Sequence, residues 1–116
     1  MKKAIVDFVG TFFFVLTIGL AVANAGDMAP LAIGSVLMVM VYAGGHISGA
    51  HYNPALSLAM WIRGKCSLAD LLPYILAQLL GAVFASYAVI ALRTPPAAAA
   101  LAADAPQIHA AAPGNR

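Results

Sequence analysis

The sequence predicts an all-α membrane protein with three transmembrane helices plus one re-entrant half-helix. Three observations carry this. Hydrophobic residues make up 63% of the 116 and charged residues 9%, where a soluble domain carries about 25% charged. Three apolar segments are long enough to reach across a bilayer core of about 30 Å. A fourth apolar segment, opened by Asn53-Pro54, is about half that length and follows a glycine-rich stretch.

The first segment covers about 4–23, behind Lys2 and Lys3. A basic start before an apolar run also fits a secretory signal, but such apolar regions run to about 15 residues at most, so a spanning helix is the expectation. Asn24, Gly26, Asp27 and Pro30 then break the pattern. The second segment covers about 31–47 and runs into glycine-rich, half-polar sequence. There the loop is expected to be extended through Gly49, Ala50 and His51. Asn53 is a favourable N-cap, and Pro54 suits the first helical position, where its missing N–H costs nothing. The helix so opened, about 53–63, rises about 14 Å over its apolar part. Irregular backbone at membrane depth survives only where protein or a water-filled cavity satisfies it, so this segment reads as re-entrant. An amphipathic helix on the membrane surface is the alternative. The last segment, about 68–92, begins at Ser67-Leu-Ala-Asp70, a capping box with aspartate in the usual glutamate position. Residues 1–93 thus form one structural unit, and 94–116, rich in alanine and proline, read as a disordered tail.

Charge placement orients the unit. Lys2 and Lys3 precede the first segment, and Arg63 and Lys65 lie between the third and fourth. Arg93, Arg116 and Asp27 fall on the other side. The positive-inside rule then puts the amino terminus in the cytoplasm and the tail outside, in the plasma (inner) membrane. A net charge of +2 leaves no footprint for nucleic-acid binding. Cys66 is the one cysteine, so no intrachain disulfide forms, and in a cytoplasmic loop it is expected to be reduced.

Residues 45–55 read Gly-His-Ile-Ser-Gly-Ala-His-Tyr-Asn-Pro-Ala. This run resembles the first signature loop of the aquaporin, or major intrinsic protein, family, with every fixed position matched. Phe8-Val-Gly10-Thr-Phe12 resembles the family's first helix, and Ala77-Gln78 with Gly81-Ala82 its third. The resemblance covers about residues 7–90. It implies half of an aquaporin-like fold, one of two inverted repeats, with a single Asn-Pro-Ala. The second Asn-Pro-Ala and its following arginine are absent, and Arg63, at the far end of the half-helix, is no substitute. The segment from Thr94 resembles the external connector between repeats.

The chemistry of the motif can be argued from the residues. As N-cap, Asn53 can accept a backbone N–H through its side-chain oxygen, which leaves its NH₂ free to donate toward a lumen. The helix N-terminus adds roughly half a positive charge there. Together these attract a water or hydroxyl oxygen and repel cations. Simple capping is the bland alternative. The resemblance further implies that Gly49, Ala50, His51, Asn53, Pro54 and Ala55 contact the solute, the first three through backbone carbonyls. It also places Ile33 at the second-helix filter position, where isoleucine leaves a wider, more apolar constriction than an aromatic residue. A core- or lipid-facing isoleucine is the alternative.

Asp7 and His46 are expected to support the loop. The family usually has a buried glutamate at the position of Asp7, bonded to a pore loop. Aspartate is one methylene shorter, and an interfacial aspartate is the plain alternative. His46 and His51 are expected to hydrogen-bond to loop backbone; with no cysteine or carboxylate beside them, no metal site is expected. Ala77, Gly81 and Ala85 give the small-residue spacing of closely packed membrane helices. Phe12, Phe13 and Phe14 read as lipid- or core-facing bulk.

The function implied is passive permeation of water or small neutral solutes such as glycerol, without a cofactor and without enzymatic groups. The expected partners are the lipid bilayer, the solute, and either further copies or a complementary half-repeat that completes the pore. An antiparallel homodimer would rebuild the inverted symmetry, but the charge bias favours one orientation. A truncated, non-conducting fragment and a regulatory subunit of full-length relatives are the alternatives.

Overall fold

The computed structural model describes residues 1–93; the expectation of a disordered, external tail over 94–116 lies outside them. The described residues are all helical apart from turns and loops. Helix α1 spans Lys2–Asn24, α2 Ala29–Ser48, α3 Pro54–Ile62 and α4 Leu68–Arg93. Helices α1 and α4, and α2 with the turn before it, are long and apolar enough to cross a membrane, with mean hydropathies of 2.3, 2.1 and 1.7.

The breaks have local causes. Asn24 Nδ2 donates to the Leu20 carbonyl at 2.9 Å at the end of α1, and a 3-10 turn, Gly26–Met28, leads into α2. Pro30 sits in the first turn of α2, where helix N–H groups lack intrahelical partners anyway. Helix α2 stays helical through Gly44 and Gly45 and stops at Gly49, which takes φ 85° and donates its N–H to the Gly45 carbonyl. This is a left-handed cap, and glycine suits it for want of a Cβ. The Ser67 hydroxyl opens α4, accepting from the Asp70 N–H at 3.1 Å and donating to Asp70 Oδ2 at 3.0 Å. At the same end Lys3 Nζ comes within 4.0 Å of Asp70; both are largely exposed, so the pair contributes little.

Helix α1 is the hub, packing along α4 on one side and α2 on the other, while α3 leans on α4. The α1–α4 seam is tight because α4 presents Ala77, Gly81 and Ala85. Gly81 lies so close to α1 that a Cβ there would fall 2.6 Å from the Phe8 carbonyl oxygen, and Ala85 is fully buried. Small residues of this kind let membrane helices approach backbone to backbone. Phe8 meets Phe84 edge-on at 5.9 Å beside this seam.

Burial runs opposite to that of a soluble domain. Asp7, Thr11, Ser48, His51, Ser57 and Gln78 are buried, whereas Ile5, Leu72, Leu76, Leu80, Val83 and Ile90 face outward. A polar centre wrapped in outward apolar side chains suits lipid as the solvent. The protein is a multi-pass membrane protein.

Candidate functional site

The polar centre lies where residues 49–53 cross the helices. Asp7, one turn and a half into α1, is fully buried. Its Oδ2 accepts the Tyr52 backbone N–H at 3.1 Å and Gln78 Nε2 at 2.5 Å. The aspartate, one methylene shorter than glutamate, reaches the loop backbone in this structure. Gln78 Nε2 also donates to Ser57 Oγ at 2.9 Å, and Ser57 Oγ lies 3.0 Å from His51 Nδ1. A single amide on α4 thus ties α1 to α3, and the serine passes the connection on to the loop histidine.

The rest of the loop is held by aromatic rings and a hydroxyl. The His51 ring lies against that of Tyr74 with centroids 4.7 Å apart, and Tyr74 Oη donates to the Ser48 carbonyl at 2.5 Å. The Ala50 N–H donates to Ser48 Oγ at 3.1 Å. The loop is not extended through Gly49 and Ala50 as the sequence suggested. Gly49 and Ala50 are left-handed (φ 85° and 54°), and so is Tyr52 (φ 49°). Such conformations in non-glycine residues persist where surroundings over-determine them, and the bonds just described supply that constraint. The histidines also differ from expectation. His51 pairs with a side-chain hydroxyl instead of backbone. His46 is on the last turn of α2 and exposed, and its side chain makes no hydrogen bond to a described residue.

Asn53 caps α3 with extended backbone (φ −154°, ψ 128°). Its Oδ1 accepts the Ala55 N–H at 2.8 Å, and its carbonyl accepts the Ser57 N–H at 3.0 Å. Its Nδ2 has no partner among the described residues, and the side chain is exposed. The carbonyls of Gly49, Ala50 and His51 likewise accept no hydrogen bond from any described residue. The loop is therefore anchored by buried side chains and offers one amide donor and a run of acceptors without partners among the described residues. Pro54 is half-buried and Ala55 exposed beside Asn53. Ile33 is half-buried near the start of α2, at the opposite end of that helix from the loop, so it does not join this cluster.

A recess of about 250 Å³ opens from the loop toward the basic end of the molecule, lined among others by Gly49, His51, Tyr74, His46, Lys65 and Cys66. Burial pushes the Cys66 thiol up from its ordinary pKa. Asp70 adds to the shift and Lys3 opposes it. No cluster of three or more metal-ligating side chains occurs among the described residues.

Sequence reasoning missed Ser57, Tyr74, Ser48 and Tyr52, and quoted Gln78 without giving it a role. Gln78 had a signal: an amide midway along an otherwise apolar spanning helix is expensive unless paired. Ser57 follows Asn53 by one helical turn, which puts it directly behind the cap.

Three helices long and apolar enough to cross a membrane, a half-length helix capped by asparagine and a buried polar clamp behind an irregular loop define a multi-pass membrane protein with a polar interior. The profile of the family described as "Major intrinsic protein" matches residues 1–112. Over 92 residues the chain is 44% identical to glycerol uptake facilitator protein-like 6 of Lactiplantibacillus plantarum, covering 77% of this chain and 43% of that protein. It is 38% identical to aquaporin AqpM of Methanothermobacter thermautotrophicus, covering 74% and 45%, and 33% identical to aquaporin Z of Photorhabdus laumondii, covering 74% and 41%. The chain belongs to the major intrinsic protein family. It spans less than half the length of these relatives.

Proposed function

We propose that this chain forms one wall of a transmembrane channel for water and small neutral solutes such as glycerol. The observation that carries the reading is Asn53. Its oxygen is engaged by the cap, its Nδ2 is unpartnered, and it stands at the N-terminus of α3. That geometry holds a single donor, in a region of positive potential, toward whatever fills the space before the loop. A water or hydroxyl oxygen satisfies it; a cation does not. The unpartnered carbonyls of Gly49, Ala50 and His51 supply acceptors leading to the same point, with Pro54 and Ala55 flanking the donor. Asp7 holds this loop in place. His46, at the mouth of the recess, and Ile33, toward the other end, border the path at a distance. The names of the relatives, glycerol uptake facilitator and aquaporin, agree with this solute class.

One wall is not a pore. The exposed amide and free carbonyls would each cost several kcal/mol against lipid, so a second repeat of opposite orientation must cover them with an aqueous space between. The short helix is re-entrant, and α1 begins on the cytoplasmic side of the plasma (inner) membrane, as the placement of Lys2, Lys3, Arg63 and Lys65 favours.

The test is osmotic shrinkage of proteoliposomes holding the chain together with an oppositely oriented second repeat of the family. Water flux well above empty vesicles is expected, and Asn53→Asp, which sets a carboxylate where the donor stood, should abolish it. Background flux from folded wild-type protein, or undiminished flux in Asn53→Asp, refutes the reading.

A further inference from the structure

We infer that Tyr52 is the positioning residue that sets Asn53, through a notch cut by two glycines on different helices. The inference rests on the channel reading above and adds a residue to it.

Tyr52 immediately precedes Asn53, and its side chain packs between α1 and α2. It is 2% exposed. A Cβ at Gly10 of α1 would collide with the Tyr52 ring, and a Cβ at Gly44 of α2 would collide with its hydroxyl. The ring therefore occupies space that exists only because both helices carry glycine where they face it. At the end of the notch, Tyr52 Oη donates to the Met40 carbonyl at 2.6 Å. At its entrance, the Tyr52 N–H donates to Asp7 Oδ2. One residue is thus fixed at both ends, by α1 through its backbone and by α2 through its hydroxyl.

The backbone explains why so much anchorage is invested here. Tyr52 is left-handed, φ 49°, a conformation disfavoured for a bulky side chain. Asn53 follows at φ −154°, ψ 128°. This sharp change of direction lets the chain drop into the notch at one residue and present the cap amide on the opposite side at the next. Without the ring in its notch, Tyr52 itself keeps only its backbone hydrogen bond to Asp7, and the turn is otherwise held only through its neighbours His51 and Asn53. Asn53 and the start of α3 would then be free to shift. A loop anchored only by its flanking helices could still form α3, but would not fix the depth or direction of the Asn53 donor.

Trp61, the sole tryptophan, lies on α3 and reports that helix directly. The experiment uses the full chain in vesicles with the complementary repeat. Four proteins are compared with wild type: Tyr52→Phe, Tyr52→Ala, Gly10→Ala and the double variant. Two readouts are taken, Trp61 emission with acrylamide quenching, and the ratio of glycerol to water flux, from which the number of folded channels cancels. Tyr52→Phe keeps the ring and should retain wild-type emission. Tyr52→Ala and Gly10→Ala should each alter emission, quenching and the flux ratio. The double variant should be no worse than Tyr52→Ala alone, because the added methyl enters space the ring has left. Wild-type emission and flux ratio in Tyr52→Ala overturn the inference, as do effects of Gly10→Ala and Tyr52→Ala that simply add. Emission needs no conduction. Absent wild-type flux with the emission pattern intact would sink the channel reading and leave Tyr52 as the anchor of the loop; normal flux with additive effects would do the reverse.

Discussion

Replacing Gln78 by leucine removes the amide that joins three helices while nearly keeping the side-chain volume. Two hydrogen bonds disappear, to Asp7 Oδ2 and to Ser57 Oγ, at a residue with no exposed surface. Side-chain hydrogen bonds between membrane helices average about 0.6 kcal/mol, or about 1.2 kcal/mol for two such bonds. Leaving a buried polar partner unsatisfied costs about 1–3 kcal/mol more. That applies to Asp7, which keeps only the Tyr52 N–H. A loss of about 2–4 kcal/mol is therefore expected, measured as the shift in unfolding free energy on titrating folded protein in mixed micelles with SDS and following helical content. The cycle with Asp7→Leu separates the bond from the packing. The double variant should lose clearly less than the two single losses together, since neither polar partner is then stranded. A Gln78→Leu cost under about 0.5 kcal/mol, or strict additivity with Asp7→Leu, would show that the short Gln78–Asp7 contact does not hold the loop.

Gly81→Leu should separate α1 from α4, because even the first carbon of a side chain at that position meets the Phe8 backbone; loss of the folded form in the same SDS titration is the expected result. Tyr74→Phe removes the bond to the Ser48 carbonyl while keeping the ring against His51, so a loss of about 1 kcal/mol is expected. The Cys66 thiol is held above its ordinary pKa by burial and by Asp70, and only the thiolate reacts. Maleimide labelling should therefore be slow at neutral pH and still be accelerating above pH 9. Asp70→Asn should speed it and Lys3→Gln slow it further, since these charges shift the thiol down and up respectively when removed. With an impermeant reagent, labelling from the cytoplasmic side alone is expected.

The helices were legible because their boundaries carry local chemistry. Asn53-Pro54 states where α3 begins, and Ser67 with Asp70 states where α4 begins, through bonds spanning three residues or fewer. The seam at Ala77, Gly81 and Ala85 was legible because side-chain size alone decides how closely two membrane helices approach. The path of the loop was not. Left-handed Ala50 and Tyr52 break the ordinary backbone preference of their residue types, and what holds them lies 45 residues away in the case of Asp7. Gln78 acts through partners 71 and 21 residues distant. No periodicity encodes such pairings. Gly44 likewise acts through a distant partner: its missing side chain gives room to Tyr52.

The distribution of hydrogen bonds around the loop explains why an irregular segment is used at all. A helix satisfies its own carbonyls and offers none to a solute. To present successive acceptors the chain must leave the helix, and in an apolar setting it can do so only with strong anchors behind it and water in front. Asp7, Gln78, Ser57 and His51 form the anchors, all buried. They engage the loop through one backbone N–H and its side chains, and leave the carbonyls of Gly49, Ala50 and His51 free. The half-length α3 follows from the same requirement. Starting a helix at the end of the loop adds the Asn53 donor where the acceptors stop, and a helix of only nine residues puts that start about 14 Å from its other end, close to half the thickness of a bilayer core. On the proposed channel reading, donor and acceptors would come together near the middle of the bilayer, where water reaches them only through a pore, and permeation by the assembled channel is what tests that placement.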